Sequence, residues 1–287
     1  MRNQILEKIS WIPYRLKSRL IFNKKNPHTL DFKKLDLNKK FQFYILEKDE
    51  GLSNQLRAFG FREPLNMKYS YLFVSKEDKV LDIGANLGLF SLLSCNAKKI
   101  ISIEPITECI PVLKKNLQRN GLLKKSTIIN MAVGKKGKLI LKKEGKINLS
   151  KVTDKKGKDT IEIESDSLKY FAEKYNANFL RMDVEGYEYD ILMNKIPKNI
   201  KKIAMEFHTT LLGKKRVLEL MRYFDKESFR VKYFIEDLPI RLYPFYSVLK
   251  KLNLLGVFTY VLENKKPLEC INYLNKGRHV KYLFLER

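Results

Sequence analysis

From Val80 onward the chain alternates short, nearly continuous apolar runs with longer stretches whose apolar residues recur every three to four positions. Runs of the first kind suit strands buried on both faces, and stretches of the second kind suit helices that cover those faces. The alternation predicts βαβ units around a parallel sheet. It assigns strands to residues 79–83, 100–104, 127–131, 179–183 and 202–207, and helices to 87–95, 107–120, 187–194 and 214–224. Gly121 follows the second helix as a stop signal. Residues 135–158 are rich in Gly and Lys with two short alternating pieces, which predicts a surface hairpin or a flexible insertion. Beyond Phe229, VKYFI and VKYLFLE read as two more strands. Between them lie residues 238–268, apolar, aromatic and poor in acids, in which Arg241, Lys250 and Lys251 occur too often for a membrane span. An insertion is expected there, either helical and covering a substrate or forming an interfacial patch.

At the amino-terminal end, Ile5, Ile9, Ile12, Leu16 and Leu20 recur at helical spacing with basic residues between them, interrupted near Pro13. Trp11, the sole tryptophan, lies in the same segment. Two readings stay open: a helix lying on an anionic membrane surface, or a helix whose apolar stripe packs on its own domain. The pattern divides the chain into a basic amphipathic extension over residues 1–50 and a domain over residues 51–287 that carries the 238–268 insertion.

Composition narrows this picture. With 287 residues, 44% hydrophobic and 31% charged, the chain is neither disordered nor a small disulfide-stapled peptide. Lys and Arg total 57 against 32 Asp and Glu, a formal charge of +25. The excess is 44 lysines against 13 arginines, spread in pairs such as Lys98 and Lys99. A diffuse Lys surface serves solvation and general attraction to phosphate, whereas readers of nucleic acid concentrate Arg and interleave aromatics. Cys95, Cys109 and Cys270 show no CxxC spacing, which predicts a reducing compartment. Charges interrupt the first residues too often for a signal peptide, so the cytoplasm is the expected location, with peripheral contact at the inner face of the membrane as the alternative.

The chemistry concentrates at strand ends. KVLDIGANLGLFS is a strand ending in Asp82, a turn through Gly84, Ala85, Asn86 and Gly88, then a helix, as in nucleotide-binding turns. IISIEP places Glu104 about 20 residues after the first glycine, at a strand end suited to ribose hydroxyls. DxGxxxG differs from the GxGxxG of a dinucleotide pyrophosphate site, and Asp82 would repel phosphate. S-adenosylmethionine, with a positive sulfonium and ammonium, two ribose hydroxyls and no phosphate, fits better than NAD. Asp183 and Glu185 fall at the end of the fourth strand, with Glu206 and His208 one strand over. Such groups can accept the proton of an attacking hydroxyl, or together hold a divalent metal. His208 reads either as a general base or as a satisfied strand-end residue. Glu188 is read first as structural, at a helix start where carboxylates favour the dipole. Arg57 and Arg62 could neutralise an anionic substrate or form surface salt bridges.

VLDIGANLGLFS, SIEP, NMAVG, FLRMDVEGYEYDIL and AMEFH, read in order, resemble the successive motifs of the FkbM family of S-adenosylmethionine-dependent methyltransferases. The upstream GLSNQLRAFGFREP is similar to that family's lead-in, and the resemblance covers about residues 52–224. It implies an α/β, Rossmann-like class I methyltransferase fold: a mostly parallel seven-stranded sheet, order 3-2-1-4-5-7-6, with helices on both faces, an N-terminal helical extension and a C-terminal insertion. It implies S-adenosyl-L-methionine as cofactor, held by Asp82, Gly84, Ala85, Asn86, Gly88 and Glu104, with Met131 and Ala132 beside adenine. Asp183, Glu185, Glu206 and His208 are then the catalytic candidates. The implied reaction is O-methylation of a hydroxyl on a sugar, glycan, lipid headgroup or small metabolite. Two other functions remain open: RNA 2′-hydroxyl methylation, and a non-catalytic module binding cofactor or anionic surface.

Overall fold

The computed structural model describes residues 27–46, 52–142, 151–274 and 280–287. Its centre is an eight-stranded sheet. Among the described residues the strands are, in chain order, β1 (His28–Asp31), β2 (Lys40–Phe43), β3 (Lys79–Ile83), β4 (Lys99–Ile103), β5 (Ser126–Ile129), β6 (Ala132–Val133), β7 (Gly137–Lys142), β8 (Lys151–Thr153), β9 (Thr160–Asp166), β10 (Phe179–Met182), β11 (Lys202–His208), β12 (Arg230–Glu236), β13 (Tyr260–Lys265) and β14 (Val280–Glu286). The main sheet runs β13-β12-β14-β11-β10-β3-β4-β5. From β11 through β5 every pairing is parallel, and β14 runs antiparallel to both its neighbours.

The side chains alternate between two apolar layers, as the strand period requires. Val80, Ile100, Phe179 and Phe284 join one layer, while Leu81, Ile101, Leu180 and Leu285 join the other. The first layer packs beneath α1 (Leu52–Phe59), α2 (Pro64–Phe73), α3 (Leu89–Leu93) and α4 (Ile110–Arg119). The second packs beneath α5 (Leu168–Lys174), α6 (Glu188–Leu192) and α7 (Thr209–Lys226). Helices therefore cover both faces, and the strand order reproduces the expected 3-2-1-4-5-7-6 with one strand more.

That additional strand, β13, arises inside the expected 238–268 insertion and pairs antiparallel with β12 alone. As an edge strand it carries exposed Glu263, Asn264 and Lys265, so its sequence lacks the continuous apolar signal of the central strands. The rest of the insertion is short helices, including α8 (Tyr246–Lys251) and α9 (Leu255–Phe258). The Gly- and Lys-rich stretch is a hairpin within a second, four-stranded sheet, where β7 pairs antiparallel with β8 and β9. The first helix is shorter than expected because Asn86 (φ 50°) and Gly88 (φ 89°) hold left-handed backbone ahead of it. The last is longer, running through a non-helical Gly213.

The helix expected near residues 5–20 lies outside the described residues. Residues 28–43 of the expected helical extension form a β hairpin instead, and Leu30, Phe32 and Phe43 are wholly buried in the first layer. Asn116 on α4 and Asn120 at its C-cap, one turn on, tie down the hairpin's exit. Asn116 accepts from Tyr44 N (2.6 Å) and donates to the Tyr44 and Leu87 carbonyls, while Asn120 pairs with both backbone groups of Gln42. No helix among the described residues is long and apolar enough to cross a membrane.

Candidate active site

The sheet reverses its winding between β3 and β10: β4 and β5 follow on one side, β11 on the other. In open α/β sheets a crevice forms at the carboxyl ends of strands at such a switch point. Here it is a cleft of about 690 Å³, open mouth included. Gly84, Asn86, Glu104, Met131, Ala132, Asp183 and Glu185 line it, together with Tyr187 and with Leu141 and Val152 from the second sheet. Seven of the twelve expected site residues thus meet in one cavity, while Asp82, Ala85, Gly88, Glu206 and His208 do not line it.

The turn after β3 is shaped by its neighbours. Gly84 (φ 76°) donates to the Ile103 carbonyl, and a Cβ on it would lie 2.0 Å from the Asp183 carbonyl oxygen. Only glycine lets the ends of β3 and β10 approach this closely. Gly88 answers a packing need, since a Cβ there would lie 2.5 Å from the Leu113 side chain on α4. Ala85 is buried and bonds through its backbone to Ile103 and Gly88.

Asp82 is fully buried at the end of β3. It accepts from Ser91 Oγ (2.6 Å) and from Arg181 (3.3 Å), and burial pushes its pKa up while the guanidinium opposes the shift. Arg181 stacks on Phe90, 3.6 Å from the ring centre, and also reaches Asp183 at 3.5 Å. Asp82 therefore orients the arginine beside Asp183 rather than facing the cleft. The sequence reading missed Arg181, although a charge within the buried run FLRM was its signal.

Glu104 spans the turn. Its two carboxylate oxygens accept the N–H groups of Asn86 (2.7 Å) and Ile106 (2.8 Å). Burial raises its pKa to about 7 against those two bonds. Each oxygen retains a lone pair for a further donor such as a ribose hydroxyl.

On the opposite side the DVEG turn carries left-handed backbone at Glu185 (φ 49°) and Gly186 (φ 99°). A Cβ on Gly186 would meet Leu211 at 2.9 Å, so the glycine keeps the turn against α7. Glu185 faces His208 Nε2 at 3.4 Å. Burial, followed by repulsion from Asp183, lifts Glu185 to about 7. His208 Nδ1 lies 2.6 Å from Glu188, and its Nε2 lies 3.8 Å from Glu206. Burial opposes its charged form, but the Glu188 contact and then the Glu206 and Asp183 charges outweigh burial and raise its pKa to about 10. These carboxylates favour the protonated, donating form of the histidine in the free protein. Glu188, wholly buried, is its orienting partner and not only a helix-start residue.

Arg62 grips Glu63 through two nitrogens and stands 3.9 Å from Glu206, and Arg57 donates to Asn54 and the Leu46 carbonyl. Neither is a surface salt bridge, because both are largely buried. Burial, then the Asp183 and Glu63 charges, drive the Glu206 pKa well above the carboxylate range. Glu63 itself resists burial because Arg62 holds its pKa down.

Among the described residues no Lys, Arg or His lines the cleft, although the chain carries +25 overall; its charged residues there are Glu104, Asp183 and Glu185. The lining suits a cationic or neutral ligand with hydroxyls, and opposes a pyrophosphate.

No curated protein sequence matches the chain. Among solved structures, a protein in the NADB-Rossmann superfamily from Streptococcus agalactiae is similar at 14% identity, covering 77% of this chain and 67% of that one, with a TM-score of 0.42. A tRNA m1G37 methyltransferase from M. jannaschii shares 15% identity over 87% of this chain and 52% of its own, with a TM-score of 0.40. M. capricolum TrmK, in complex with S-adenosyl-homocysteine, shares 9% over 77% of this chain and 66% of its own, with a TM-score of 0.42. The chain thus spans about half the length of the M. jannaschii structure and about two thirds of the others. A family model described as the methyltransferase FkbM domain matches residues 82–252, beginning later than the motif resemblance and continuing through β12 into the insertion. With that match spanning more than half of its length, the chain belongs to the FkbM methyltransferase domain family.

Proposed function

We propose that the chain is an S-adenosylmethionine-dependent O-methyltransferase acting on an alcohol hydroxyl of a sugar, glycan, lipid headgroup or small metabolite. The observation that carries this reading is the cleft lined by three carboxylates and no cationic side chain in a protein of charge +25. The residues fit the cofactor. Glu104 offers acceptors for ribose hydroxyls, Gly84 and Asn86 offer close-approaching backbone, and Met131 and Ala132 offer an apolar slot for a purine. When bound, S-adenosylmethionine supplies an electrophilic methyl on a sulfonium, leaving as neutral S-adenosylhomocysteine. The chain's own part is to orient an acceptor hydroxyl and to receive its proton. Glu185 is assigned that proton because it lines the cleft, whereas Glu206 and His208 do not. Asp183, beside Arg181, is assigned to acceptor positioning.

The acceptor's setting has its own support. Val248 in α8 and its flanking residues Phe245 and Leu252, spaced three and four apart, are 51–60% exposed, followed by Val257 at 70%. Lys251 adjoins them. Apolar insertion combined with lysine favours an anionic lipid surface, and hence an acceptor presented there. The charge also keeps an RNA 2′-hydroxyl among the acceptors to be tried.

Calorimetric titration with S-adenosylhomocysteine beside NAD tests the cofactor. Binding of the first alone is expected, and binding of neither would sink the reading. For the reaction, Glu185→Gln should lower methyl transfer by about 10²–10⁴-fold with affinity for S-adenosylhomocysteine nearly unchanged. Unaltered turnover would remove Glu185 from the mechanism.

A further inference from the structure

Among the described residues, three buried side-chain oxygens have no hydrogen-bond partner, and all three belong to one cluster: Asp183 Oδ1, Glu188 Oε2 and Glu206 Oε1. An unpaired buried oxygen is costly, so three together indicate a positive group that this cluster is built to receive. Donor atoms of Asp183, Glu206 and His208 come within 4.8 Å of one another. We propose that Asp183, Glu206 and His208 form a binding site for a single divalent cation beside the cleft.

The donors are arranged for it. Glu206 is 95% buried at the end of β11, with one oxygen 3.8 Å from His208 Nε2 and the other unpaired. His208 Nδ1 is committed to Glu188 at 2.6 Å, which orients the ring and leaves Nε2 towards the carboxylates. This carboxylate–histidine pairing is the usual support of a metal-ligating imidazole. Bonds of about 2.1 Å put donors about 3 to 4.2 Å apart, so a pair at the 4.8 Å limit draws in by about 0.6 to 1.8 Å around the ion. The local charge favours it too. Among the described residues, the ion pairs of Asp82, Asp183, Glu185, Glu188, Glu206 and Glu63 run to Arg62, Arg181 and His208, six acids to three cations. The nearest guanidinium contacts to the donor carboxylates, 3.5 Å to Asp183 and 3.9 Å to Glu206, are too long for hydrogen bonds and do not complete them. Two carboxylates with one imidazole suit Mg²⁺, Mn²⁺ or Zn²⁺. In the O-methyl-transfer reading, on which this role rests, such an ion lowers the pKa of the acceptor hydroxyl while Glu185 takes the proton.

The experiment is a calorimetric titration of the untagged, chelator-treated full chain with Mn²⁺, repeated with Mg²⁺ and Zn²⁺, and with Mn²⁺ binding also read by electron paramagnetic resonance. One saturable ion per chain is expected, with Glu206→Gln and His208→Asn each weakening it at least tenfold. No saturable binding by any of the three ions, or equal affinity in folded variants, overturns the site. The wild-type titration decides alone if the variants do not fold. S-adenosylhomocysteine is titrated in parallel without metal: its failure to bind would strike the methyltransferase reading, and ion binding is read independently of it.

Discussion

Glu104 and Gly84 carry the consequences that a single side chain can decide. Glu104 ionises near 7 in the fold against an ordinary value of 4.5, because burial outweighs its two backbone bonds. A raised carboxyl binds more protons folded than unfolded between those values, so its contribution to stability falls as pH rises from about 4.5 to 7. The span of the shift corresponds to roughly 3 kcal/mol. Thermal unfolding of the ligand-free protein across pH 5 to 7.5 should show that decline, shared with Glu185 and Asp237, which are also raised to about 7, and Glu104→Gln should make it shallower; an unchanged slope in the variant would assign the decline to the other groups. Gly84→Ala forces a Cβ to 2.0 Å from the Asp183 carbonyl at a φ of 76°. A loss of several kcal/mol is expected, or a separation of β3 from β10 seen as lost affinity for S-adenosylhomocysteine. Normal stability together with normal affinity would disprove the close approach.

At the scale of elements, the hairpin β1–β2 depends on two amide side chains of α4. Asn116 is wholly buried, and removing it strands the Tyr44 N–H and the Leu87 carbonyl. Asn116→Ala should therefore cost about 1–3 kcal/mol, measured by urea unfolding, with cofactor affinity lowered less than stability. The parallel strands were legible in the chain because burial on both faces makes each a continuous apolar run. The edge strand β13 and the strand β6 were not: half of β13 is exposed, and β6 is buried but only two residues long, too short to carry a period. The turn glycines were legible as well, but the reason for Gly88 was not, because its neighbour Leu113 is 25 residues away.

For the molecule as a whole, charge and shape are divided between two surfaces. The cleft is acidic, while the lysine-rich exterior and the exposed Val248, Leu252 and Val257 lie outside it. Co-sedimentation with vesicles containing anionic lipid should retain the chain at low salt, and a Val248→Asp, Leu252→Asp double variant should retain less. Equal retention of both, with a strong dependence on salt, would reduce the contact to general charge attraction.

The continuous apolar runs of the buried strands, the turn glycines and the acids at strand ends follow from local chemistry: strand burial, backbone torsion and residue type are properties of neighbours in the chain. From them came the sheet, its order through family likeness, and the cleft residues Gly84, Asn86, Glu104, Met131, Ala132, Asp183 and Glu185. Only the tertiary structure decided that Asp82 serves Arg181, that Glu188 orients His208, and that Arg62, paired with Glu63, reaches Glu206. Those contacts join residues separated by up to 144 positions (Arg62 to Glu206), and pairing at such range is set by how the helices and strands pack, which no local pattern encodes.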